Sequence, residues 1–338
     1  MTKKTKDILR SLFFFVLAVF FVFWFVSGLS SRERSEIIDS FFKADGLWVV
    51  LSVLVSALSV YIRALRWQLL IKPLGYKTKS STVFFSIASA YLTNLAVPRL
   101  GEVVRSTMLS TKYKIPFDKT LGTIITERVV DLLLFVLIFF VSFLLEYSVF
   151  SDYLFADFSF DFAKYTGFLL VLCLVCLVSA AAFFIFRKKI KESLVYKKVK
   201  DFVIGIVQGM KTIIRLEKPF LFIFYSFLIW FLWIFGTWIV FHAMTECAGL
   251  NMEQAMTVTV LGAIGVMITP GGIGLYPSVF AEALHVYGVQ KAVGYALGWI
   301  SWLVSQVCPV LFGPIGFLIF ANKNKKENDV RKNREQNT

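Results

Sequence analysis

Apolar and polar positions alternate along this chain in long blocks. Six blocks are long enough for a helix to cross a bilayer, which takes about 20 apolar residues. They cover residues 11–28, 47–71, 120–146, 165–186, 219–245 and 291–320. Two shorter apolar stretches, 80–97 and 254–269, each run into a Pro/Gly break and then a second short amphipathic segment. The pattern predicts an all-α polytopic membrane protein with about six full spans and two broken or re-entrant helical hairpins. The whole is read as one membrane domain. An N-terminal helix and outer loop occupy 1–46, a first repeat 47–146 and a linking helix 165–186. A cytoplasmic helix follows at 187–218, then a second repeat at 219–320 and a basic tail at 321–338.

The two breaks have the same plan. In the first, an apolar run meets Asn94 and then Pro98-Arg99-Leu100-Gly101-Glu102. In the second, an apolar run meets Thr269-Pro270-Gly271-Gly272-Ile273-Gly274. Non-helical backbone at membrane depth must be buried in protein or line a wet cavity. Each break falls between two full spans, and helix 165–186 reverses the second unit relative to the first. Such inverted repeats with paired discontinuous helices are a transporter signature, with the site near the midplane. Two unrelated kinked hairpins are the alternative.

Composition supports the membrane reading. The 338 residues are 57% hydrophobic and 17% aromatic, with 37 Phe, and the mean hydropathy is +0.72. The net charge of +14 would suit nucleic acid in a soluble chain. Here the basic residues sit between apolar spans, so no nucleic-acid partner is expected. With the N-terminus taken as cytoplasmic, the inner pieces hold 26 Lys and Arg and the outer pieces 5. The positive-inside rule therefore places both ends in the cytoplasm of a cell-membrane protein. The basic N-terminus and the run that follows resemble a signal peptide, but the run is long for one and lacks a small-residue cleavage site. It is read as an uncleaved first helix. Within 189–215, Ile190, Leu194, Val199, Phe202, Ile206, Met210 and Ile213 share one helical face against lysines. Such a helix lies on the anionic inner leaflet or packs on the protein's own underside.

Candidate chemistry is confined to charges inside the apolar segments. Arg63, Arg66, Arg99, Glu102, Arg105, Glu127, Arg128 and Asp131 all lie there. Each would cost at least ~2.5 kcal/mol at the bilayer centre, so they should face protein or water. Arg99, Glu102 and Arg105 are spaced to pair along one helical face. Glu127 and Asp131 share a face and call for a cation, an arginine by preference. Arg63 and Arg66, near the end of a span, are expected to snorkel to the interface. Positive groups exceed negative by two, which favours an anionic ligand, since guanidinium matches phosphate bidentately. Gly271, Gly272 and Gly274 can bring backbone N–H groups to an anion at a helix start. Glu282 and His285 admit either packing or a proton role. Cys173, Cys176, Cys247 and Cys308 read as buried thiols, because the Cys173-x-x-Cys176 pair lies in an apolar run. No metal or cofactor is expected.

Four ordered motifs carry a resemblance. They are Arg63-x-x-Arg66-Trp67, Asn94-x-x-x-Pro98-x-x-Gly101-Glu102-x-x-Arg105, Glu127-Arg128-x-x-Asp131 and Pro270-Gly271-Gly272-x-Gly274. With them the chain resembles the lysylphosphatidylglycerol synthase transmembrane-region, or flippase-like, family from about Leu47 to Phe320. That family usually has a Glu shortly after the glycine turn. Here Tyr276-Pro277 stands there and the nearest acid is Glu282. The best-known relatives join this region to a soluble synthase domain and move aminoacylated phosphatidylglycerol between leaflets. The resemblance implies the lipid-moving half without the synthesis, hence a flippase or transporter of an anionic phospholipid or lipid-linked substrate, and no enzyme. Asn94, Arg99, Glu102, Arg105, Glu127, Arg128 and Asp131, with the three glycines, are the candidate binding residues. A membrane enzyme, or an accessory subunit of envelope lipid or polysaccharide synthesis, is the alternative.

Overall fold

The structure is a computed structural model that describes residue 35 and residues 39–97, 99–147 and 216–335. The expected helices at 11–28 and 165–186, and all but the last residues of that at 187–218, lie outside these, as do Cys173 and Cys176. The regular elements among the described residues are all helices, joined by turns and without a strand. Helix α1 is Gly46–Ile71, capped by the Asp45 carboxylate, which accepts from the Leu47 N–H. A short 3-10 turn, Lys72–Leu74, closes it at Gly75. The first hairpin follows as α2, Ser80–Ala96, and α3, Leu100–Tyr113; then comes α4, Phe117–Leu145. The second series is α5, Pro219–Phe241, then α6, Met252–Ile268, and α7, Leu275–Val286, and α8 from Lys291. Asn251 and Gln254 form a reciprocal capping box that starts α6.

Four of these helices are long and apolar enough to cross a membrane: Gly46–Leu74, Phe117–Leu145, Pro219–Phe241 and Lys291–Phe320. Four of the six predicted spans thus stand within a few residues of their expected positions. Two details differ. The helix α8 runs through Pro309 and Pro314 and continues to Glu335, so the backbone of the expected tail is helical. The span starting at 219 ends at Phe241, where a series of tight turns begins.

The two series are related by inversion. Helices α1 and α5 pack side by side in opposite directions. Asp45 N–H donates to Ala243 O at one end, Gly236 faces Val55, Arg66 reaches Ser226, and Lys72 pairs with Glu217 at the other end. A two-fold axis relating antiparallel helices lies across them, hence in the membrane plane. Two further helix contacts follow the same exchange. Hairpin leg α2 packs on α8, and leg α6 packs on α4. Both first legs have 17 residues. The Ser142–Thr257 hydroxyl contact of α4 with α6, 2.7 Å, has its counterpart where Gly316 of α8 meets Phe85 and Ser89 of α2. Small residues make these contacts because only they let helix backbones approach so closely. The outer face of α4 presents Leu133, Val136, Leu137, Phe140 and Leu144, an exposed apolar strip suited to hydrocarbon.

One end of the α4–α6 contact carries acid on both sides. One turn beyond Ser142 stands Glu146, and one turn before Thr257 stands Glu253. The helices run antiparallel, so the two carboxylates face each other. Burial, then the charge of Glu253, raises the Glu146 carboxyl above its ordinary range. Tyr287, whose phenol burial pushes up to about 12, stays neutral beside them. A raised folded-state value means stability that is present at low pH and lost as pH rises through that value. The melting temperature of the purified protein should therefore rise as pH falls from neutral towards the ordinary carboxylate range. Glu146→Gln should flatten that rise, and an unchanged slope would count against it.

Candidate functional site

The seam between the two series holds a buried charge centre. Its members come from α1, α2, α3, α4 and α5. The C-terminal half of α1 puts Arg63 and Arg66 on its buried face, together with Trp67. Helix α4 answers with Glu127 and Asp131, one turn apart. Arg63 Nε donates to Glu127 Oε1 at 2.7 Å, and its two terminal nitrogens donate to Asp131 Oδ2 and the Tyr91 hydroxyl. Arg66 Nη1 donates to Asp131 Oδ1 at 2.6 Å and to Ser226 Oγ of α5 at 3.2 Å. Its Nη2 lies 3.0 Å from Glu127 Oε1, an ion-pair distance but out of line for a hydrogen bond. Arg105 Nη1 of α3 donates to Glu127 Oε2 at 3.2 Å, and its guanidinium lies over the Trp67 ring, 4.7 Å from the centroid. Trp67 is held in turn by Nε1 donating to Thr123 Oγ1. Phe222 and Trp233 of α5 face Arg66 and Arg63.

Three arginines against two carboxylates leave this centre one positive charge in excess. Glu127 is fully buried and serves all three cations, while Asp131 keeps 13% exposure. The expectation that Arg63 and Arg66 snorkel is thus overturned. They are 4% and 0% exposed, because α4 and α5 wall them in and the two acids compensate them. The paired acids on α4 do find arginine partners, as their spacing predicts.

The remaining candidates divide. Glu102 pairs with Arg128 at 2.9 Å across α3 and α4, rather than with Arg99 or Arg105. Arg99 cannot continue the helix face: it is the residue before α3, exposed, with φ of 66°. Asn94 clips the first hairpin, its Oδ1 accepting from the Gly101 N–H at 2.7 Å. The glycine turn meets the other break rather than the arginines. A Cβ on Gly271 would lie 2.5 Å from Leu95 Cδ2, and the Gly271 carbonyl accepts from Trp302 Nε1 at 2.7 Å. Gly272 N–H donates to Thr269 O, and Gly274 starts α7 with its carbonyl accepting from Ser278. All three glycines have positive φ. The two breaks therefore touch, and the charge centre lies beside their junction.

Outside the centre, the chemistry is plain packing. His242 Nδ1 donates to Trp238 O and His285 Nδ1 to Val289 O, while Glu282 pairs with Lys291. Burial, then Glu246, pushes the Cys247 thiol up to about 12, so it stays protonated at neutral pH. Among the described residues no three metal-ligating side chains gather.

Fold and site together define a polytopic helical membrane protein with opposed repeats and an arginine-rich centre between them. The chain belongs to the family described as the lysylphosphatidylglycerol synthase TM region, which matches residues 9–313. Among curated proteins it is 24% identical to a UPF0104 membrane protein of Methanocaldococcus jannaschii, over 98% of each chain. A UPF0104 membrane protein of Pyrococcus horikoshii is 23% identical over 83% of this chain and 89% of its own. A shorter likeness, 28% identity over 102 residues, is to the glycosyltransferase AglD of Haloferax volcanii; it covers 30% of this chain and 16% of that protein. No solved structure matches.

Proposed function

We propose that the protein moves an anionic phospholipid or lipid-linked substrate between the leaflets of the cell membrane, without chemistry on it, and that both its ends are cytoplasmic. The observation that carries this reading is the buried centre with its uncompensated positive charge. A buried charge without a partner is costly, and an anionic headgroup would supply the missing one. The centre sits between two opposed units whose relative rocking would expose it to either side in turn. Arg105 is the natural phosphate ligand. Arg63 and Arg66 each engage both carboxylates, whereas Arg105 engages only one oxygen of Glu127, and its Nη2 is buried without a partner. Glu127 and Asp131 hold the arginines in place.

The experiment uses proteoliposomes with acyl-labelled phosphatidylglycerol. Arg105→Ala should lose most of the wild-type translocation, at least about tenfold for a charge-assisted contact. Equal rates in the two proteins would defeat the phosphate role. The likeness to a glycosyltransferase favours a second reading, a membrane enzyme or accessory subunit in envelope lipid or polysaccharide synthesis. Chemical turnover of a lipid substrate by the purified protein alone, or a stable partner and no transport alone, would support that reading.

A further inference from the structure

Helix α3 carries three buried polar atoms without partners: Glu102 Oε2, Arg105 Nη2 and Ser106 Oγ. Positions 102, 105 and 106 lie on one face of a helix. Arg105 and Ser106 are 3% and 0% exposed. Buried polar atoms are nearly always hydrogen-bonded, so three together on one face mark a place shaped for something else. Their chemistry is specific. Arg105 and Ser106 offer donors to an anion's oxygens, while Glu102 offers an acceptor one turn away.

At its Glu102 edge this otherwise buried face reaches the lipid side. Glu102 pairs outward with Arg128, and Arg105 pairs inward with the adjacent Glu127, so α3 and α4 are joined by two ion pairs of opposite polarity, one behind the other. Arg128 is 45% exposed, yet it and Glu102 each stand eleven residues from the Tyr113–Phe117 end of their helices. At 1.5 Å per residue this is about 16 Å, near the middle of a hydrocarbon core. A charged pair facing bare acyl chains at that depth is unfavourable. Around it lie the exposed side chains of Leu100, Val103, Ile125 and Leu132. An apolar rim around a polar strip suits a molecule with a charged head and acyl tails.

We infer that the α3–α4 face is a lateral docking site for a lipid phosphodiester whose headgroup bears a hydroxyl or amine donor. The phosphate takes Arg105 Nη2 and the Ser106 hydroxyl, the headgroup donor takes Glu102 Oε2, and the Glu102–Arg128 pair parts to admit it. The ligand class rests on the transport reading, but the docking site can be tested without transport.

Native mass spectrometry of the detergent-solubilised protein compares acyl-labelled phosphatidylglycerol with phosphatidylmethanol, a phosphodiester of equal charge without the donor. Wild type should retain phosphatidylglycerol about tenfold better. Glu102→Gln should narrow that preference, and Ser106→Ala should weaken both lipids alike; unchanged melting temperatures establish that the variants are folded. Deacylated glycerophosphoglycerol should compete poorly, since the rim selects tails. A preference that survives Glu102→Gln overturns the headgroup assignment. Equal competition by the deacylated headgroup overturns the lipid docking. A protein that binds with the expected preference but moves nothing defeats the transport reading and leaves this inference standing. Translocation by a protein that retains the two lipids alike does the reverse.

Discussion

Replacing Glu127 by Gln should cost the detergent-solubilised protein about 3–5 kcal/mol, the usual penalty for removing one partner from a buried ion pair. The reason is the number of cations this carboxylate serves. It is fully buried and lies within 3.2 Å of nitrogens on Arg63, Arg66 and Arg105. Without its charge, three buried arginines would share Asp131 alone, and the excess positive charge at the seam would double. Asp131→Asn should cost less, because Asp131 is 13% exposed and touches only Arg63 and Arg66. Arg105→Ala should cost less again, since it leaves two arginines against two acids and a neutral centre. The melting temperatures should fall in that order, with Glu127→Gln the lowest. Equal losses for the three variants would mean that the cluster is held by packing rather than by charge. The ranking also separates the roles assigned here, because the residue that matters most to binding should matter least to stability.

Much of this was legible in the chain itself, for identifiable reasons. Apolar runs longer than a bilayer is thick admit no fold other than a crossing helix, so α1, α4, α5 and α8 could be placed directly. The Pro/Gly breaks were equally visible, and their positions between spans implied the inversion that the antiparallel α1–α5 pair displays. Charge partners were harder. Glu127 and Asp131 could be seen to need arginines, because both lie on one α4 face. That the arginines are Arg63 and Arg66 could not be seen. An arginine two-thirds along a span looks the same whether it bends to the interface or turns inward, and its partners lie more than 60 residues away. Tyr91 and Ser226 carry no signal at all until α2 and α5 are packed around them, and Trp67, although part of a motif, gives no sign of its partners Thr123 and Arg105. The pairing of Glu102 was misjudged for a local reason. Spacing of three implies a shared face only inside a helix, and Arg99 lies before its first turn with a left-handed backbone.

The hairpin that carries Arg105 also predicts the second large effect. Gly101→Ala should lower stability by about 3 kcal/mol, the upper part of the range for overpacking. A Cβ there would stand 2.2 Å from the Ala90 carbonyl oxygen and 2.8 Å from its carbon. Both are backbone atoms of α2 and cannot swing aside, so the two legs of the hairpin must part. Parting them also lengthens the Asn94 clip onto the Gly101 N–H and shifts Arg105, one turn along α3, away from Glu127. Gly271→Ala should be milder despite a positive φ of 59°, because the atom it meets is the tip of the flexible Leu95 side chain. Gly122→Ala, on α4 with nothing within 4 Å, is the control, and higher helix propensity should leave it neutral or slightly stabilising. Circular dichroism melts of the three variants would check the order. If Gly101→Ala melts with wild type while translocating normally, the close approach of α2 and α3 is not what holds Arg105 against Glu127.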